Sequence, residues 1–431
     1  MGVEIQPVAF VRFLLAGLRA GLTGGRLYWA WMGVLALVFA GGAAAYVIQL
    51  RDGLVVTALD NHVPWGVYIA NFTFLDGIAA SAALVYILAF VFDRRDARRV
   101  ALLGSGVAVS AAVGCMLFVV VDIGRPLAAW HLIPMLGSLN WPISMLAWDV
   151  VALNGYLAIN AIGPTYVLFT IWQKREPNWR FVVPAVYLAI FWAILIQAII
   201  AFLYSANVGR PFWHSGLLGP RFLASSFSAG PSLMILAFGW IGRVTVWRVD
   251  RSVIDRLAMV AAIAVQANLF MLGMELFTEL YHPTSHAASA RYAFLGLHGH
   301  YGLVPWVWSS ITMQIVAMVL LMVHRTRASL PTLTLASVLC IVGVWIDKGM
   351  GLVVPGFTPT SLGVIREYTP NHIEVAVSLG IWAFGLMLFT VLAKAAIHVQ
   401  GFDQRPEDEG FTSIPPAPRE PEREPALEAA E

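Results

Sequence analysis

Charge is scarce in this chain. Of its 431 residues only 12% are Asp, Glu, Lys or Arg, against 59% hydrophobic, and mean hydropathy is +0.75. Soluble domains carry about a quarter of their residues as charges, so a soluble globular protein is excluded. Cysteine is scarcer still: Cys115 and Cys340 are the only two, and both sit inside apolar runs. A disulfide framework or an iron–sulfur cluster, which takes about four thiolates, has too few ligands here. Both thiols read as small apolar core residues. Histidine is missing from the middle of every long apolar run. His62, His131, His214, His282, His286, His298, His300, His324, His372 and His398 all fall in connections or at run ends. No imidazole pair is therefore placed on facing helices to hold a b-type haem. His282, His286, His298 and His300 come nearest to a metal-binding group, but no helix or strand fixes their geometry. Surface or capping roles are the default for them, and no metal site is assigned. Nothing points to nucleic acid as a partner.

What recurs instead are apolar runs of about 20 residues, the length that crosses a bilayer as a helix. Ten are read, at 27–50, 65–92, 100–121, 143–172, 181–204, 223–243, 257–281, 303–323, 332–352 and 373–397. The fold class is an all-α integral membrane protein. Before the first span, FVRFLLAGLRAGL puts Phe10, Phe13, Leu14 and Leu18 on one helical face and Arg12 and Arg19 away from it. That predicts an interfacial helix within 1–26; a cleaved signal peptide is the competing reading. The membrane domain is 27–398. Residues 399–431 include PPAPREPEREP, acidic and proline-rich with almost nothing to bury, and predict a disordered tail.

Charge placement gives an orientation. Arg12, Arg19 and Arg26 precede the first span. Arg94, Arg95, Arg98 and Arg99 follow the second, and Lys174, Arg175 and Arg180 the fourth. Arg243, Arg248, Arg251 and Arg256 follow the sixth, Arg325 and Arg327 the eighth, and Lys394 closes the tenth. With ten spans all of these lie on one side, which the positive-inside rule makes cytoplasmic, with both termini. The chain is then a multi-pass protein of a bacterial cytoplasmic (inner) membrane. The opposite connections, 51–64, 122–142, 205–222, 282–302 and 353–372, are longer and rich in Gly, Pro, Trp and His. A ligand site or a docked partner belongs on that outer face.

Polar groups at membrane depth are costly and usually functional. Asp76 lies twelve residues past Pro64 and Asp149 two turns into the fourth span. Glu275 and Glu279 share a helical face, and Asp347 and Lys348 are adjacent in the ninth span. Asp76, Asp149 and Glu275 are the candidates for a proton relay, since burial lets a carboxyl exchange protons near neutral pH. Glu279, Asp347 and Lys348 are read as satisfied structural groups. Of the amides Asn71, Asn154, Asn160, Gln197, Gln266 and Asn268, which glue helices together at least as often as they bind ligands, Asn71 stands out. It precedes Asp76 by five residues in a helix of small residues whose entrance is DNHVPW, with His62 and Trp65 at the interface.

Three stretches carry a resemblance: PWGVYIANFTFLDGIAASAA, FVVVDIGRPLAAWHLIP and SMLAWDVVALNGYLAIN. Together they resemble the NrfD/PsrC family, the quinone-reactive membrane subunits of polysulfide-reductase-type complexes, over about residues 60–398. They are most similar to its ten-helix DsrP/HybB-like branch, with the membrane subunits of alternative complex III as further relatives. The resemblance implies two four-helix bundles, spans two to five and six to nine, with a flanking helix at each end. It implies quinone (menaquinone or ubiquinone) as substrate, no haem or iron–sulfur cluster in this chain, and a periplasmic-side iron–sulfur (ferredoxin-like) partner. Cytochrome c or further membrane subunits are additional candidate partners. Carried over by position, Asn71, Asp122, Arg125, Asp149 and Glu275 fall in the family's polar elements. His131 is the best local match for a quinone-contacting histidine, with His62 and His214 behind it. The segment from Asp122 to Tyr156, which contains Arg125, His131, Asp149 and Asn154, is expected to form one wall of the quinone pocket. The expected function is a quinone-handling anchor of a respiratory oxidoreductase, with proton translocation left open. A proton- or ion-coupled secondary transporter is the alternative, because buried carboxylates and many glycines suit it equally; a passive anchor for a redox partner is a third reading.

Overall fold

The computed structural model describes residues 7–401 apart from 134–135, 282–286 and 361. The expected tail beyond residue 401 and the pair His282 and His286 therefore lie outside the described residues. The helices are α1 (Pro7–Gly21), α2 (Arg26–Asp52), α3 (Val67–Ser81), α4 (Ala83–Tyr86), α5 (Arg95–Asp122), α6 (Met145–Trp172) and α7 (Trp179–Ser205). They continue as α8 (Leu218–Val244), α9 (Arg251–Tyr281), α10 (Ala287–Phe294), α11 (Val304–Met322), α12 (His324–Ala328), α13 (Leu330–Lys348) and α14 (His372–Val399). A π-helical turn, Ile87–Val91, extends α3 and α4 into one span, and a second, Gly349–Val353, extends α13. Among the described residues ten helices are long and apolar enough to cross a membrane. Lipid offers backbone groups no partner, so the apolar runs close their hydrogen bonds along themselves.

Two antiparallel four-helix bundles form the centre. In the first, α3, α5, α6 and α7 pack in a ring, and in the second α8, α9, α11 and α13 do. The bundles meet where α3 crosses α8. That seam is made of small residues: Gly77 faces Ser226, and a Cβ on Gly230 would collide with the Ser81 side chain. Close backbone approach of this kind is how membrane helices gain contact without a hydrophobic driving force. The flanking helices α2 and α14 come from opposite ends of the chain yet pair with each other, and α14 packs on α5. The N-terminal helix α1 turns Phe13, Gly17 and Gly21 inward. Phe10 and Phe13 set their rings against Phe169, while Leu14 and Leu18 are exposed.

Helix starts follow local capping. Ser144 caps α6, Asn178 caps α7, and Asn371 with Glu374 makes a reciprocal capping box on α14. Three spans begin five or six residues earlier than their hydropathy implies. Helix α8 starts at Leu218 and so takes in Arg221, while α5 starts at Arg95 and α9 at Arg251, where Ser252 and Arg256 of α9 both bond Asp96 of α5.

Candidate functional site

Three aspartates of the first bundle sit at successive depths below the end opposite the arginine-rich connections. Asp122 is the last residue of α5. Asp149 is four residues past Met145, ~6 Å along α6, and Asp76 nine past Val67, ~14 Å along α3. Each keeps its Oδ1 buried without a hydrogen-bond partner. Most buried polar atoms are partnered, so three orphaned carboxylate oxygens in one bundle form an unusual set. The hydroxyl of Tyr204 on α7 is within electrostatic reach of all three and shares a 2.6 Å hydrogen bond with the Thr73 hydroxyl. The other oxygen of Asp76 accepts from Gln197 Nε2, and Gln197 Oε1 accepts from Ser226 Oγ at 2.7 Å. A polar thread thus runs from α3 through α7 into α8, across the seam between the bundles.

On the far side of that seam lies a buried ion cluster. Arg221 Nη1 donates to Glu275 Oε2 at 2.6 Å, and Nη2 to Asp347 Oδ1 at 2.5 Å. Arg221, Asp347 and Lys348 are all 5% exposed or less. Lys348 rests its ammonium 3.1 Å from the centre of the Phe222 ring, within electrostatic reach of Asp347, Arg221, Asp76 and Glu275. A desolvated cation over an aromatic face is stabilised by the ring quadrupole. The set holds three carboxyls (Asp76, Glu275, Asp347) and two cations (Arg221, Lys348). Fully ionised it carries one surplus negative charge, which a single proton removes. An arrangement one proton short of neutrality suits a group that takes and gives protons.

The structure thus brings Asp76, Asp122, Asp149 and Glu275 into one connected electrostatic neighbourhood. Asn71 adjoins it, but its side chain is engaged: Oδ1 accepts from the indoles of Trp345 (2.8 Å) and Trp382 (3.0 Å), and Nδ2 donates to the Val67 carbonyl. It clasps α3 to α13 and α14. Asn154 is exposed on α6 and donates to Val150 O one turn back. The histidines do not join the carboxyls. His131 is exposed and stacked on Trp130, with exposed Arg125 near it in the same connection. His62 is exposed, its backbone amide bonded to Asp60, and His214 is exposed with Nδ1 3.1 Å from Ser205 O. Among the described residues no three His, Cys, Asp or Glu side chains are placed to hold a metal ion.

The surface above this region is tied down from several helices. Gln49 of α2 donates to Val121 O and accepts from Tyr68. Glu374, fully buried, accepts from the Tyr368 hydroxyl at 2.6 Å and from the amide of Ala58. Burial and the neighbouring Glu374 carboxylate hold the Tyr368 phenol above its usual range. Sequence reasoning missed the central role of Arg221, which it left in a connection, and read Asp347 and Lys348 as structural. The available signal was charge complementarity: an arginine at one span's mouth, an Asp-Lys pair at another's, and an unmatched Glu275 between them.

The family model described as polysulphide reductase, NrfD, matches residues 55–357, well over half of the chain. The chain is 26% identical over 381 residues to the Hdr-like menaquinol oxidoreductase integral membrane subunit of Archaeoglobus fulgidus, covering 85% of this chain and 92% of that protein. It is 22% identical to a putative dimethyl sulfoxide reductase membrane subunit of Halobacterium salinarum, covering 84% of this chain and 90% of that protein. It is also 22% identical to a selenate reductase subunit of Mesobacillus selenatarsenatis, covering 86% of this chain and 93% of that protein.

Proposed function

Because the chain belongs to the polysulphide reductase NrfD family, we propose that it is the quinone-handling membrane subunit of a multisubunit oxidoreductase. The observation that carries this reading is the set of three buried aspartate oxygens without partners beside an ion cluster one proton from neutrality. Reducing a quinone to a quinol consumes two electrons and two protons, and quinol oxidation returns them. A charged oxygen left on the ring inside an apolar site would be costly, so proton donors must stand close to the ring. In this reading the quinone arrives from lipid at the outer half of α6. There the paired indoles of Trp141 and Trp148, with centroids 4.1 Å apart, offer flat apolar faces next to Asp149. Asp149 exchanges protons with the ring, and Asp76 passes them along the thread through Gln197 and Ser226 toward the cluster that holds Glu275. His131, Arg125, His62 and His214 stand at the rim, where they meet a partner or the entering headgroup.

Electrons come from or go to an iron–sulfur subunit docked on the connection-rich face, with cytochrome c or further membrane subunits beyond it. The names of the three relatives, each a subunit of an oxidoreductase or reductase, support partnership in a multisubunit complex. The arginine-rich connections support, through the positive-inside rule, a cytoplasmic location of the other face and both termini. If Asp76 takes its protons from that side, turnover moves charge across the membrane.

The test is purification from native membranes, followed by quinol-analogue turnover of the complex. We expect an iron–sulfur subunit to co-purify, and Asp149→Asn to abolish turnover with assembly intact. A homo-oligomer without redox partners would favour a transporter. Full turnover of the Asp149→Asn complex would remove Asp149 from the chemistry.

A further inference from the structure

At the arginine-rich end of the first bundle, far from the aspartates, the helices diverge. Pro164 interrupts the α6 ladder, and the chain after α4 widens into the π-turn Ile87–Val91. Between them opens a cleft with an open mouth and about 60 Å³ of free interior volume, room for a short stretch of acyl chain. Its walls are almost wholly apolar and include Phe90, Ala185 and Trp179, with Tyr86 and Arg98 as the main polar side chains. Tyr86 has its hydroxyl occupied by Ser105 (2.5 Å) and Asn160 (2.8 Å), so it offers an entering molecule little. The Trp179 indole N–H is different: it is buried and has no acceptor.

The mouth is basic. Arg98 donates to Ala89 O at 3.3 Å and to Asp93 at 2.5 Å, and its guanidinium lies 5.6 Å from the Phe90 ring. The bordering connections, 92–94 and 173–178, carry Arg94, Lys174 and Arg175 against Asp93 and Glu176, and Arg180 is exposed beside Trp179. Positive charge is in excess.

We propose that this cleft is a binding site for one anionic phospholipid. A short stretch of an acyl chain lies in the apolar interior, an ester carbonyl accepts from the Trp179 indole once that ring turns to present its covered N–H, and the phosphate lies among Arg98 and the flanking basic side chains. Three independent features agree on that chemistry. The interior has no use for a polar headgroup. One buried donor lacks one acceptor, and the rim attracts an anion at the depth where headgroups lie. The inference does not depend on quinone chemistry at the opposite end.

The experiment uses the full chain, purified in neutral detergent and stripped of lipid, with native mass spectrometry and thermal unfolding as readouts. The probes are dioleoyl phosphatidylglycerol, dioleoyl phosphatidylcholine and menaquinone-4. Expected is one phosphatidylglycerol bound with clear preference over phosphatidylcholine, and a melting temperature raised by several degrees. Trp179→Phe keeps the shape of the wall and removes only the N–H. It should melt like the parent when stripped, yet bind phosphatidylglycerol about tenfold more weakly, the loss of one hydrogen bond. Arg98→Gln should erase the preference for the anionic lipid, and Ala185→Trp, which fills the cleft, should abolish binding. Equal binding of both phospholipids by the parent, unchanged binding in Trp179→Phe and Arg98→Gln, or uptake of menaquinone-4 in place of phosphatidylglycerol would each overturn the proposal.

Discussion

Arg221 is the side chain whose removal should be felt most. It is 4% exposed and bridges Glu275 on α9 and Asp347 on α13 with bonds of 2.6 and 2.5 Å. In Arg221→Met the volume is nearly kept, but two carboxylates face each other with Lys348 as the one remaining cation of the cluster. Breaking a buried ion pair by deleting one partner costs about 3–5 kcal/mol, whereas replacing a whole buried triad with neutral groups is often close to neutral. The triple change Arg221→Met, Glu275→Gln, Asp347→Asn should therefore recover most of the stability lost by the single one. Thermal unfolding of the purified protein, followed by intrinsic tryptophan fluorescence, reads both variants at fixed pH and lipid content. A single variant that melts with the parent, or a triple variant that melts no higher than the single, would refute the view that charge compensation holds the second bundle together. Turnover should be lost in both variants, because the triple change restores charge balance without restoring a proton carrier.

Other consequences can be checked alongside. The helix pair α2 and α14 crosses at Gly42 and Gly380, where a Cβ on Gly42 would lie 2.6 Å from Gly380 Cα. Gly42→Leu should cost about 2 kcal/mol or more by overpacking, or detach α2, and protease sensitivity of the connection after α2 would report it. At the end opposite the arginine-rich connections Asp60 is raised by burial, but the amides of Val63 and His62 and the Arg366 guanidinium outweigh that and bring it below its ordinary 3.8. A depressed folded-state pKa gives stability that is present above 3.8 and is lost as pH falls through the folded value. Asp60→Asn should therefore melt below the parent at pH 7, and the gap should close in strong acid; a gap that persists there would remove the charge from the explanation. Asn71→Leu leaves the indoles of Trp345 and Trp382 without their acceptor. It should destabilise by about 1–3 kcal/mol, while Asn154→Leu, on the exposed face of α6, should leave the melting temperature within error.

The spans were legible because each is an apolar run of bilayer length, and their ends shifted only where a charge is matched inside the protein. Arg221 ends an apolar run when read alone, yet it lies within α8 because Glu275 and Asp347 approach it from two other helices. Partners 54 and 126 residues away leave no local trace. The grouping of the spans into two bundles was available only through resemblance, and neither the ring order within a bundle nor the pairing of α2 with α14 was available at all, since hydropathy is silent on which helices touch. Asp76, Asp149 and Glu275 could be picked out because an ionisable group inside an apolar run is conspicuous. The histidines could not be placed, because connections have no periodicity to say which way a side chain turns. Asn71 illustrates the ambiguity of amides: the same residue that looks free for a ligand holds two indoles.

The proposed function rests on a quinone ring meeting protons in the outer half of the first bundle, near Asp149. The most direct measurement is photolabelling of the intact complex with an azido-quinone, followed by mapping of the modified peptides. The account predicts label on α6 around Trp148 and on the adjoining stretches of α3 and α7, competed away by unlabelled menaquinone-4 and lost with turnover in Asp149→Asn. Competed label confined to the arginine-rich end, or spread evenly over the lipid-facing surface in parent and variant alike, would contradict it.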